Sequence, residues 1–174
     1  MSLPVLVLKA GRDKSLKRRH PWVFSGALDK VLGEPQSGDT VLVRSAEGQP
    51  LALAAYSPQS QIRARVWSPD TAATIDAAFL RERLKRALEM RERLPAARHT
   101  NALRLVHAES DGMPGLIVDR YADVLVAQFL SAGPERWREA ILDALAELTA
   151  CEAIFERSDA EVRSLEGLDR KSVV

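Results

Sequence analysis

Apolar and polar side chains alternate over residues 61–68, QIRARVWS, with Ile62, Ala64 and Val66 on one side and Arg63, Arg65 and Trp67 on the other. That period of two predicts a strand with one face in a core and the other basic and aromatic. Upstream, short apolar runs are separated by turn signals. Pro4–Leu8 predicts a strand, GRDKSL interrupts it, and Trp22–Leu28 resumes an extended apolar character. Asp29–Ser37, with Gly33 and Pro35, predicts a loop. Gly38-Asp39 then turns the chain into TVLVRS, and SAEGQP at 45–50 predicts a hairpin connection into LALAAYS, with Gly48 free to take a positive φ. Strands of this length and spacing predict a small β-barrel or sandwich over the first 70 residues.

Beyond residue 70 the period lengthens to that of a helix. Ile75, Phe79, Leu80, Leu84, Ala87, Leu88 and Leu94 form one apolar stripe, with Glu82/Arg86 and Glu89/Arg93 as i,i+4 pairs on the outer side. Thr74 is the expected N-cap, with Asp76 favourable in the first turn. Such a helix would run about 30 Å and would suit a spacer, which divides the chain into 1–71 and 72–174. Asn101–Ala108 predicts a strand, GLIVDRYADVLVAQFL two strands about Asp119–Asp123, Pro134–Ala150 an amphipathic helix, and EAIFERS at 152–158 a further strand. The order β-β-β-α-β implies an α+β fold class. Ser158 and Glu161 are spaced as a capping box for a short helical turn.

Composition narrows the classes. No uncharged apolar run reaches the roughly 18–20 residues of a membrane span, and MSLPVLVLKAGRDK lacks the marks of a signal peptide, so a cytoplasmic protein is expected. The single Cys151 excludes an internal disulfide, and three scattered histidines offer no metal-ligand spacing, so no metal is expected. Net charge is +1 overall, yet residues 1–70 carry 10 Lys/Arg against 6 Asp/Glu and the remainder 15 against 18. That asymmetry points a polyanion toward the front half.

The densest chemistry lies in LKRRHPWVF, residues 16–24, where Lys17, Arg18, Arg19 and His20 precede Trp22. Adjacent cations beside aromatics suit phosphate contacts and base stacking; a solvated basic loop with a core Trp is the competing reading. Arg63, Arg65 and Trp67 would extend the same face if the two segments are neighbours. Glu109, Asp111 and Asp119 crowd AESDGMPGLIVDRY, but Asp111-Gly112 and Pro114-Gly115 are above all turn signals, and GMPG lacks a phosphate-loop spacing. Arg157, Asp159 and Arg163 could form a buried ion network or contact an anionic ligand. Cys151 has no neighbouring base, and His99 and His107 predict surface or packing roles.

LKRRHPWVFSGAL, SGDTVLV, YSPQSQIRARV, RLVHAESDGMPGLIVDRYADVLVAQFLSAG and ERSDAEVRSLEGL, in this order over residues 6–168, resemble the PUA-domain-containing, S-adenosylmethionine-dependent 23S rRNA cytosine-5 methyltransferases. The resemblance implies a PUA-like RNA-binding barrel at 1–71, a central β-β-α-β-β domain within 72–174, and a Rossmann-like catalytic domain that would lie beyond Val174. It further implies methylation of cytosine C5 in large-subunit rRNA through a cysteine that adds to C6. Cofactor loop and catalytic cysteine would also lie past Val174, so no catalytic or S-adenosylmethionine-binding residue is expected in this chain, and Cys151 matches none. The likeness stops at DRKSVV, which implies a central domain cut short. On this reading Lys17, Arg18, Arg19, His20, Trp22, Arg63, Arg65 and Trp67 contact RNA, and Arg157, Asp159 and Arg163 shape the approach to the active site. The competing class is a non-catalytic RNA-binding or self-association module, dimerising through the 75–94 helix and the 115–130 hairpin.

Overall fold

Alternating side chains at 40–44 and 50–56 make the two strands that organise the first half: β4 (Thr40–Arg44) and β5 (Pro50–Tyr56) pair antiparallel around a turn in which Gly48 adopts φ +85°. The computed structural model describes residues 3–170. Six strands form the first sheet, in the order β2-β6-β5-β4-β1-β3, with β1 at Val5–Leu8, β2 at Trp22–Phe24, β3 at Leu28–Leu32 and β6 at Ile62–Ser68. β2 and β3 lie at opposite edges, yet only a 3-10 turn at Ser25–Ala27 separates them. The sheet must therefore curl until its edges approach. Leu6, Leu8, Val23, Val41, Val43, Ala54, Tyr56 and Ala64 fill the inside of the curl.

One expectation is corrected here. The segment after Asp29 is not a loop throughout, because β3 pairs antiparallel with β1 from Leu28 to Leu32; its apolar Val31 and Leu32 remain exposed at the edge, which blurred the pattern. GRDKSL does interrupt the strand, and its end opens α1 at Lys14–Lys17.

The spacer helix α2 spans Ala77–Glu92, about 24 Å at 1.5 Å per residue. Its cap is Asp76, whose Oδ1 accepts from Phe79 N at 2.8 Å, and not Thr74. A capping side chain must lie just ahead of the first turn, and the helix begins later than its apolar stripe. Leu80, Leu84 and Ala87 are buried, and Arg86 Nε meets Glu82 Oε1 at 2.9 Å on the outer side. β7 (Ala102–His107), β8 (Leu116–Tyr121) and β9 (Val124–Phe129) then form an antiparallel meander, and β10 (Ala153–Glu156) adds parallel to β9. The parallel step requires a crossover, supplied by α3 (Ala132–Arg136) and α4 (Arg138–Thr149), which break at Trp137 where a single helix was expected. The fold class is mixed α+β.

Core residues of the second sheet, Val118, Leu125, Ala127 and Phe129 among them, pack with α2 and α4. The same cluster takes in Ala55 and Trp67 from the first sheet. That sheet is therefore covered on both sides around β5 and β6, its outer side by α3. Gly133 allows the contact, since a Cβ there would lie 2.7 Å from Ala55 Cβ and 2.8 Å from Trp67 Cζ2. Met1, Ser2 and residues 171–174 of the expected 1–71 and 72–174 division lie outside the described residues.

Candidate nucleic-acid interface

Leu16 is the only apolar residue of α1, and it packs against the inside of the curl. With that side chain turned inward, Lys14, Lys17, Arg18 and Arg19 face solvent. The helix stops where it does because Pro21 disfavours helical backbone at His20. Arg19 N donates to Leu16 O at 2.8 Å and His20 N to Ser15 O at 2.9 Å, with Arg19 in the left-handed region at φ +63°. A non-glycine residue in this conformation is held there by its surroundings, and here it fans the side chains of Arg18, Arg19 and His20 across the turn.

Residues 9–19 thus hold six cations, Lys9, Arg12, Lys14, Lys17, Arg18 and Arg19, and one acid, Asp13. Asp13 Oδ2 lies 2.5 Å from Lys17 Nζ. That hydrogen bond, first among the causes, holds the Asp13 carboxyl below its usual range and raises Lys17 above its own. Among the described residues, Arg12, Lys14, Arg18 and Arg19 have no ion-pair partner within 4.0 Å. Their charge is uncompensated at contact range and open to solvent.

The strand face expected to extend this patch points elsewhere. β2 pairs with β6 so that Trp22 opposes Arg65. Arg65 is 7% exposed: its Nη1 donates to Glu166 Oε1 at 2.8 Å, and its Nε lies 3.6 Å from Glu109 Oε1. Glu166 is also buried and accepts from Ser57 Oγ at 2.7 Å. Trp67 is 2% exposed inside the second core. Arg63 is half-buried and donates from Nη1 to Pro58 O. Arg63, Arg65 and Trp67 therefore do not continue the basic surface. The alternation of β6 is real, but its second face is covered by a neighbouring core, and a period of two cannot tell water from protein on that side.

Trp22 sits at the junction. Its Nε1 donates to Glu109 Oε1 at 2.7 Å, so its polar end is occupied. His20, Trp22 and Phe24 form an aromatic group: ring centroids lie 5.8 Å apart for His20–Trp22, 6.1 Å for Trp22–Phe24 and 6.2 Å for His20–Phe24. Phe24, which the sequence reading did not single out, is 47% exposed. Lys9, Arg12 and Lys14 were missed as well; the turn-like GRDKSL drew attention to breaks in the strand pattern and away from charge.

The C-terminal candidates separate. Arg157 and Asp159 form an exposed ion pair at 3.5 Å. Arg163 is fully buried, donating to Asp169 O at 2.7 Å, to Phe129 O, and to Glu135 Oε2 at 2.9 Å. It ties the last helical turn, α5 (Val162–Leu165), to the end of β9 and cannot meet an outside ligand. Ser158 does not cap that turn; its Oγ accepts from Phe129 N at 3.2 Å, because the hydroxyl is buried beside β9 and α5 starts later. The three carboxylates of 108–121 all have partners: Glu109 as above, Asp111 with Arg91 at 2.5 and 3.0 Å, and Asp119 with Arg104 at 2.8 and 2.9 Å. Among the described residues no group of three or more His, Cys, Asp or Glu could hold a metal, and no helix is long and apolar enough to cross a membrane.

A PUA-like domain model matches residues 6–69. Over 162 residues the chain is 52% identical to ribosomal RNA large subunit methyltransferase I of Pseudoalteromonas translucida, and over 164 residues 49% identical to the protein of that name in an Enterobacter species. Over nearly all of its own length, the chain is similar to these ribosomal RNA large subunit methyltransferases. The alignments take in 93% and 94% of the chain but 41% of each relative, so it spans less than half the length of these methyltransferases and corresponds to their N-terminal portion. The fold is shared with a Streptococcus mutans protein described as a candidate SAM-dependent methyltransferase, at a TM-score of 0.75 and 18% identity over 88% of the chain and 40% of that protein. A second solved structure, of a candidate methyltransferase complexed with SAH, gives 0.76, also at 18% identity and with the same coverage. That second structure holds SAH, the demethylated form of S-adenosylmethionine. Gly133, at the strand-to-helix connection after β9, is filled by Trp67 and Ala55 and leaves no cradle for that cofactor.

Proposed function

We propose that this chain is the RNA-recognition portion of a methyltransferase that moves a methyl group from S-adenosylmethionine to C5 of a cytosine in large-subunit rRNA. The unit expected at 1–71 recognises RNA, and the unit expected at 72–174 carries it toward a catalytic centre supplied by the part of the relatives' length that this chain does not span. The observation that carries the reading is the segment 9–20: six lysines and arginines on a solvent-facing turn, one partnered acid, in a chain half identical to named rRNA methyltransferases.

The chemistry is that of phosphate neutralisation. Lys17, Arg18 and Arg19 displace counterions from the RNA backbone beside His20, and Lys9, Arg12 and Lys14 lengthen the track beyond what the sequence suggested. Trp22 walls this surface through its hold on Glu109. Arg65 and Trp67 support the surface from within by joining the first sheet to the second core, and Arg163 anchors α5 to β9 and α3.

The test is a titration of the chain into a 23S-type RNA fragment across salt concentrations, with Arg18→Glu/Arg19→Glu beside it. Log affinity should fall linearly with log salt, and the variant should bind at least tenfold more weakly with a slope shallower by about 2. An unchanged slope in a folded variant refutes the assignment.

A further inference from the structure

Phe24 is a large aromatic ring, 47% exposed, on the edge strand β2 directly after the cationic turn. An isolated exposed apolar residue needs no explanation, but this one is braced. Trp22 meets it edge-on at 6.1 Å and 86°, and His20 tilts against it at 6.2 Å and 42°. Trp22 is fixed by Glu109, and His20 Nδ1 accepts from Trp22 N at 3.2 Å. The ring therefore has little freedom left to lose on binding. Arg12, Ser15, Leu16 and Phe24 line a shallow crevice beside it whose volume, about 30 Å³, is too small for a nucleobase. A flat ligand would lie on the ring and not in a pocket.

We propose that Phe24 is a stacking platform for one unpaired RNA base, braced by Trp22 and His20, with Arg12, Arg18 and Arg19 holding the phosphates on either side. The proposal rests on the RNA-recognition reading and narrows it to single-stranded or looped RNA, because a base inside a duplex cannot present its face to the ring. Charge favours RNA over a protein partner. A protein-binding patch gathers several apolar side chains and sheds lysine at its centre, whereas Phe24 stands at the end of a segment with six cations.

The experiment measures binding of a short single-stranded RNA and a blunt RNA duplex of the same length to the parent chain, Phe24→Leu, Phe24→Tyr and Arg18→Glu/Arg19→Glu. Phe24→Leu keeps an apolar side chain without an aromatic face, so it should lose roughly five- to hundredfold affinity for the single strand and none for the duplex. Phe24→Tyr should bind both RNAs like the parent. Equal losses on both RNAs, no loss on the single strand, or a Tyr variant as weak as the Leu variant would each overturn the platform. So would a fall in self-associated mass by light scattering in Phe24→Leu with RNA binding intact, which would mark the ring as a protein contact. Arg18→Glu/Arg19→Glu should weaken both RNAs; if neither changes, the broader RNA reading fails independently of Phe24.

Discussion

Replacing Glu166 by alanine tests whether Arg65 belongs to the fold and not to the RNA surface. The Glu166 carboxylate accepts from Arg65 Nη1 at 2.8 Å, Ser57 Oγ at 2.7 Å and Ala132 N at 3.4 Å. These three donors come from β6, the end of β5 and the start of α3, so a single side chain ties the C-terminal segment to the first sheet and to α3. Its loss would leave the Arg65 guanidinium, with its side chain 9% exposed, facing only the 3.6 Å contact to Glu109. Removing one partner of a buried pair costs about 3–5 kcal/mol, because the other charge stays desolvated. Against a total stability of about 5–15 kcal/mol this is a large fraction. At about 2–4 °C per kcal/mol for a chain of this size, the midpoint should fall by about 6–20 °C. Replacing both groups together, as Arg65→Met/Glu166→Leu, removes the charges along with their desolvation and should recover most of the loss. Urea denaturation of the two single variants and the double variant gives the coupling energy directly. A Glu166→Ala variant within about 1 kcal/mol of the parent would refute the clamp. So would an Arg65→Met variant of unchanged stability but weakened RNA binding.

Other outcomes follow from the same geometry. Gly133→Ala should destabilise the chain by about 1–3 kcal/mol, since its Cβ would press on Trp67 and Ala55, and should alter the near-ultraviolet circular dichroism that reports Trp67 packing. The Asp13 carboxyl, held below its ordinary 3.8 by Lys17, binds a proton less readily folded than unfolded. Its contribution to stability is therefore present above the ordinary aspartate value and lost as pH falls through the depressed one. An NMR titration should place Asp13 below 3.8, and Lys17→Met should return it toward that value. Asp13→Asn releases Lys17 to the RNA surface and should strengthen RNA binding roughly two- to fivefold at low salt; weaker binding would count against the track.

Much of the fold was legible locally. The turn at Gly48, the stripe of α2 and the two strands about Asp119–Asp123 are short-range consequences of side-chain period and turn chemistry, and they came through because nothing distant competes with them. The errors share a cause. Thr74 and Ser158 have the right chemistry for caps, but which hydroxyl or carboxylate reaches an orphan N–H depends on where packing starts the helix. β3 was missed because its partner β1 is 20 or more residues away and its outer side chains are left exposed.

The candidate interface divides along the same line. Sequence alone determined the cationic turn at 16–20, because a run of Lys, Arg and His beside a proline is solvated whatever the fold around it, and it carried the long ordered likeness to the rRNA methyltransferases. Only the tertiary structure decided which arginines face water. Arg65 read in the sequence like Arg18, and Arg163 as a member of an ion network or an anion contact, yet both are buried, because carboxylates more than 25 residues away in the chain, Glu166 and Glu135, are brought within 3 Å of them. A charge is recognisable from its letter; whether it meets RNA or a buried partner is set by contacts between residues far apart in the chain.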